Sequence, residues 1–354
     1  MKPLSGVRII EFDGLGPVTF AGMVLADLGA DVLRLSRAAA GAFGDVGNDV
    51  MHRARNAVVV DLKSPEDRDR VLDLIATADA VIEGFRPGVL ERLGLGPEDC
   101  AARNPKLVFG RVTGWGQTGP LSQTVGHDIN YIGLTGALHA MGEAGRPPVP
   151  PLNLVGDYGA GAMLLVAGVL AGVIEARTTG KGRVVDAAMT DGAALLSALF
   201  FSMAAGGHWG ERGSNLLDGA APFYRCYACS DGKFVAVGAL EPRFYAALLA
   251  GLGLDPVEAP QMPVSQWPVL ESKFAALFAS RTRDDWAAHF AGTEACVTPV
   301  LSFAEAADHP HNRDRGTLAG SPLQPRPAPR FDGQVAPIEP AGSLSLDEAL
   351  TRWG

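Results

Sequence analysis

Cysteine is scarce, at four among 354 residues, which excludes a small scaffold stapled by disulfides. Cys226 and Cys229 have metal-ligand or redox spacing, but no second pair of Cys or His at suitable distance completes a zinc site. These two are expected to be structural thiols, with no metal bound. An excess of basic charge is also missing. With 30 Lys and Arg against 39 Asp and Glu, the net charge is −9, which argues against non-specific nucleic-acid binding but leaves room for an anion held by a few local cations. No apolar leader precedes the strand-like run Val7 to Phe12, so a cytoplasmic protein is expected. Tyr158 to Ile174 carries no charge, yet it falls short of the roughly 20 residues that a membrane span needs.

What is present is alternation. Val7 to Phe12, Asp31 to Leu35, Ala57 to Leu62, Ala80 to Glu83 and Lys106 to Val112 read as strands, separated by helical patterns such as Thr19 to Leu28 and Pro65 to Ala76. Such units imply an α/β fold with a Rossmann-like parallel sheet and right-handed crossovers. The loop Gly14, Leu15, Gly16 has Thr19 where a dinucleotide fingerprint has its third glycine, so no nicotinamide cofactor is expected. Residues 1–186 are assigned to this large domain, 187–222 to a linker helix and connection, and 223–311 to a small α+β domain. The tail 312–354, rich in proline from Pro322 to Pro340, reads as extended, returning to the large domain or reaching a second subunit.

Asp157 stands at the start of the apolar, glycine-threaded run that follows it. There it is either a simple N-cap or an acid at the mouth of a buried helix. His127 similarly precedes a helical segment, and Glu241 precedes Pro242 at a strand-to-helix turn. Taken singly, each has an ordinary structural reading. Arg37, Lys63 and Arg86 follow strands two, three and four at their carboxyl ends, where open sheets bind ligands, although each alone is also an ordinary surface charge.

Several motifs carry a resemblance. Pro3 to Arg8, Ala26 to Val32, Val60 to Lys63, Phe85 to Gly88, Gly114 to Pro120 and Thr179 to Gly182 resemble the family III CoA-transferase superfamily. Gly126 to Tyr131, Asn153 to Asp157, Asp218 to Tyr224 and Gly238 to Pro242 are similar to its α-methylacyl-CoA racemase branch. The resemblance implies an interlocked homodimer whose active site lies between the large domain of one subunit and the small domain of the other. It implies an isomerase that racemises the α-carbon of 2-methylacyl-CoA thioesters by a two-base 1,1-proton transfer through an enolate. His127 and Asp157 would flank the α-carbon, and Glu241 would support His127. Coenzyme A would be part of the substrate, and no separate cofactor is expected. Arg37, Lys63 and Arg86 would meet its phosphates, and Tyr131 and Asn153 would line the acyl or pantetheine channel. Gly156 would permit close approach of the thioester, with the amides at Gly156 and Asp157 as enolate donors. The segment Arg37 to Arg55 departs from the family pattern. The alternatives are a CoA transferase with Asp157 as nucleophile and a noncatalytic acyl-CoA carrier.

Overall fold

In a computed structural model, which describes residues 2–37 and 48–354, the β-branched and leucine-rich runs pair as parallel strands. These are β1 (Arg8–Phe12), β2 (Asp31–Ser36), β3 (Asn56–Val59), β4 (Ala80–Glu83), β5 (Val108–Thr113) and β6 (Val184–Ala188). Each central strand is covered on both faces. On β1, Ile9 joins the core under the Pro17–Asp27 and Met163–Thr179 helices, while neighbouring Ile10 joins the core under the Pro65–Ile75 helix. Val32 and Leu33 repeat the division on β2. That double burial is why the strands read as continuous apolar runs rather than as alternating ones.

Three short antiparallel strands, β7 (Tyr224–Ala228), β8 (Phe234–Gly238) and β9 (Val297–Val300), form a separate sheet. Its inner face, with Tyr227, Val235 and Val237, packs with Leu248, Phe274 and Trp286 from three helices. Contacts divide the chain into two compact units. One comprises 1–137, 151–197 and 314–354, and the other 138–150 and 198–313. The linker helix expected within 187–222 is instead two, Met189–Leu196 and Ala198–Ala205, with Ser197 between them donating its hydroxyl to the Ala193 carbonyl. Cys229 is buried but Cys226 is exposed, so only Cys229 of that pair packs as expected. Among the described residues no His, Cys, Asp and Glu group has metal-binding geometry.

The tail is packed, not merely extended. After a small hairpin of β10 (Leu318–Ala319) and β11 (Gln324–Pro325), β12 (Gly342–Leu344) adds parallel to β3, giving the sheet order β12-β3-β2-β1-β4-β5-β6. Arg53 helps hold the tail, donating to Asp27 at 2.5 Å, to Gln324 Oε1 at 3.1 Å and to the Pro325 carbonyl at 2.6 Å. The helix Leu346–Trp353 then buries Leu346, Ala349 and Trp353 against the Pro65–Ile75 side of the sheet. Proline density obscured this ending, although Ser345 and Glu348 form a capping box that a sequence can display. Ser345→Ala is expected to lower stability by about 1 kcal/mol, read as a reduced denaturation midpoint.

A second departure concerns the helix after Asn153. It runs from Leu154 to Thr179, long and apolar enough by composition to cross a membrane, so the length argument drawn from Tyr158 to Ile174 does not hold. Half of its most apolar window is buried, with Leu165, Val166 and Val169 in the core beside β5. Its first residues, Leu154–Ala162, are π-helical, a form enriched at functional sites.

Candidate active site

Parallel strands deliver their following loops to one edge of the sheet. The winding reverses between β1 and β4, and a crevice opens at such a point. A cleft of about 520 Å³ lies there, lined by Leu15 and Gly16 after β1, Gly84 and Arg86 after β4, and Thr113 to Trp115 at the end of β5. His127, Asp128, Tyr131, Asn153 and Asp157 complete its polar wall.

His127 occupies the N-cap of the helix Asp128–Gly133 in extended conformation, with φ −135° and ψ 174°. Its backbone N–H donates to Asn130 Oδ1 at 3.0 Å, so the helix start is closed by a side chain other than the imidazole. Tyr131 secures the peptide that enters His127: its hydroxyl donates to the Gly126 carbonyl, and its ring meets Trp115 edge-on at 4.9 Å. Only glycine fits beside that ring, since a Cβ on Gly126 would come within 2.7 Å of it. Tyr131 therefore lines the cleft with its hydroxyl committed to the protein. Burial raises the Tyr131 pKa and the Asp157 charge adds to it, with Arg86 opposing.

Asp157 is not an N-cap. Asn153 takes that position, and Asp157 falls in the first turn of the π-helical stretch. Asn153 Nδ2 donates to Asp157 Oδ2 at 3.2 Å, which gives Asn153 a direct part in orienting the acid. The pKa of Asp157 is raised. Burial is the main cause; the Asn153 hydrogen bond works against it, the Asp128 charge adds to it and His127 lowers it.

One carboxylate bears on both the Asp157 amide and Gly156. The Asp157 N–H donates to Asp128 Oδ2 at 2.7 Å, so it is not free to meet an enolate oxygen. Gly156 is buried with its open side toward the same carboxylate, and a Cβ there would fall 2.5 Å from Asp128 Oδ2. The glycine makes room for the Asp128 carboxylate. Asp128 itself was not singled out in the sequence, because a first-turn acid beside a histidine looks like a simple helix-dipole partner.

Of the cations, Arg86 lines the cleft, whereas Arg37 and Lys63 are absent from the described lining although both follow carboxyl ends of strands. The Arg86 loop is tied to the sheet by a network centred on the buried Glu83 and Arg111. Glu83 accepts the Phe85 N–H at 2.6 Å and Arg111 Nε at 2.6 Å, and Arg111 also reaches Glu91 at 2.7 Å. A glutamate and an arginine inside apolar strands β4 and β5 were the available signal for it. Glu241 is exposed at the N-cap of the helix Pro242–Leu252, in the other compact unit, with no capping bond from its side chain. Of the segment Arg37 to Arg55 that departs from the family pattern, residues 38–47 lie outside the described residues.

Residues 4–337 match the family model for CoA-transferase family III. The chain belongs to that family. It is 45% identical over 331 residues to an alpha-methylacyl-CoA racemase of Mus musculus, covering 92% of this chain and 86% of the relative. The alpha-methylacyl-CoA racemase of Homo sapiens is 43% identical over the same shares. Among solved structures, a hypothetical protein from Mycobacterium tuberculosis, Rv3272, is 26% identical, with a TM-score of 0.82 over 99% of both chains. The family III fold thus agrees with the parallel sheet and smaller antiparallel sheet described above.

Proposed function

We propose that this family III chain is an α-methylacyl-CoA racemase that inverts the α-carbon of a 2-methylacyl-CoA thioester through an enolate. The single observation that carries the reading is that His127 and an Asp157 of raised pKa line one cleft. An imidazole and a carboxylate exchange acid and base roles as the substrate hand changes. One removes the α-proton, and the other protonates the planar intermediate from the opposite face. Desolvation makes Asp157 a better base than an exposed aspartate, which the weakly acidic α-proton requires.

In this reading Glu241 reaches His127 from a second copy and fixes its tautomer. Exposed apolar residues on the helix Ala198–Ala205, Leu199 at 57% and Phe201 at 56%, support a homodimer. Coenzyme A enters as part of the substrate, no other cofactor takes part, and the cytoplasm is the proposed compartment. Arg37 and Lys63 are proposed as outer phosphate contacts and Arg86 as the inner one. Arg86→Ala is expected to raise KM for the thioester by about tenfold or more, as loss of a charge-assisted hydrogen bond does, with kcat little changed. An unaltered KM would remove Arg86 from the phosphate site.

The rival is CoA transfer through an acyl-aspartyl anhydride at Asp157, which has no use for His127. An optically pure 2-methylacyl-CoA incubated with a free carboxylic acid separates the two. Loss of optical purity without movement of CoA to the acid supports racemisation, and the reverse supports transfer.

A further inference from the structure

Beneath the two proposed bases lies a group that neither reaction step uses. Asp128 is only 7% exposed, and its two oxygens differ. Oδ2 accepts the Asp157 N–H at 2.7 Å, while Oδ1 is buried without a hydrogen-bond partner. Burying half a carboxylate unsatisfied is costly, and the surroundings are shaped to keep it there. Gly156 leaves the space that its Oδ2 fills, and Asp128 is the first residue after the His127 N-cap. One side chain therefore joins the segment carrying the imidazole to the backbone of the residue carrying the acid.

We infer that Asp128 is a positioning residue with two separable actions: it anchors the Asp157 backbone against the Asp128–Gly133 helix, and it sets a second buried carboxylate beside the catalytic acid. The inference rests on the racemase reading and assigns a function to a residue outside the proton-transfer pair. The charged and titratable groups around this cleft are Arg86, His127, Asp128, Tyr131, Asp157 and Tyr158. Of the groups acting on Asp157, Asp128 raises its pKa, whereas His127 and the Asn153 hydrogen bond lower it. Asp128 and Asn153 therefore pull the same acid in opposite directions, through the backbone side and the side-chain side respectively.

The sign follows directly. Asp157 acts as a base only when ionised, so activity in the direction that uses it falls as pH drops through its pKa. Asp128→Asn keeps an acceptor for the Asp157 N–H but removes the charge. The acid limb of its kcat/KM profile is expected to move down, because a like charge that raises the Asp157 pKa is gone. Asn153→Ala removes the opposing hydrogen bond, and its acid limb is expected to move up. Gly156→Ala displaces the Asp128 carboxylate without deleting a titratable group, and a downward shift is expected there too, so the inference remains testable if Asp128→Asn does not fold.

The experiment measures kcat/KM for loss of optical activity of a 2-methylacyl-CoA against pH in the wild-type protein and these three variants. Opposite shifts in Asp128→Asn and Asn153→Ala support the inference. An Asp128→Asn profile that superimposes on wild type, or moves up, overturns it while the racemase reading stands. Absence of racemisation in the wild-type protein overturns the racemase reading itself, and the inference with it.

Discussion

Asp157→Asn is expected to lower kcat for racemisation by about 10² to 10⁴-fold, the range associated with a positioned acid or base, with KM changed far less. The substitution is nearly isosteric. The new carboxamide would still sit beside the Asn153 amide, and the backbone N–H at that position would still donate to Asp128. What the carboxamide cannot do is carry a proton at a useful pKa. A fall in kcat with KM preserved identifies an interaction made in the chemical step rather than in ground-state binding. Because a transferase would also lose its nucleophile, His127→Ala must accompany it. A comparable loss there is expected only if both groups handle the proton. Full turnover in either variant would remove the two-base scheme.

The second large effect concerns stability. Arg55 and Glu11 form an ion pair with both side chains fully buried, and Arg55 also donates to the carbonyls of Thr19 and Met51. Burial raises the pKa of Glu11 despite the neighbouring guanidinium. Removing one partner of such a pair leaves an uncompensated polar group in the core, and Arg55→Ala is expected to cost about 3 to 5 kcal/mol. Chemical denaturation would show it as a large drop in midpoint. A change under about 1 kcal/mol would mean that water or rearrangement replaces the contacts. Gly22 belongs to the same arrangement, because any Cβ there would collide with the Glu11 carboxylate and the Arg55 guanidinium.

The large sheet was legible because strands buried on both faces leave uninterrupted apolar runs, as in Val7 to Phe12 and Ala80 to Glu83. The cleft was legible for a related reason: the loops after β1, β4 and β5 must meet at one edge once those strands are parallel. Side chains whose role depends on a partner far along the chain were not legible. Asp128 gains its position from Gly156 and Asp157, and no local pattern announces a carboxylate that accepts from the residue after a buried glycine. The π-helical start at Leu154 likewise depends on packing rather than on propensity, which moved Asp157 from cap to first turn. The seventh strand was hidden by the prolines preceding it, since these argue locally for an extended tail even when the segment after them re-enters a sheet.

The most direct test of the account follows hydrogen at the α-carbon. Each optically pure enantiomer of a 2-methylacyl-CoA would be incubated with the wild-type protein in deuterium oxide, and the early product and remaining substrate analysed separately. Two different bases remove and deliver the proton, so the inverted product is expected to carry deuterium while unreacted substrate stays largely protiated. Inverted product that retains its original hydrogen would mean that one group carries the same proton across the intermediate, and it would contradict the account.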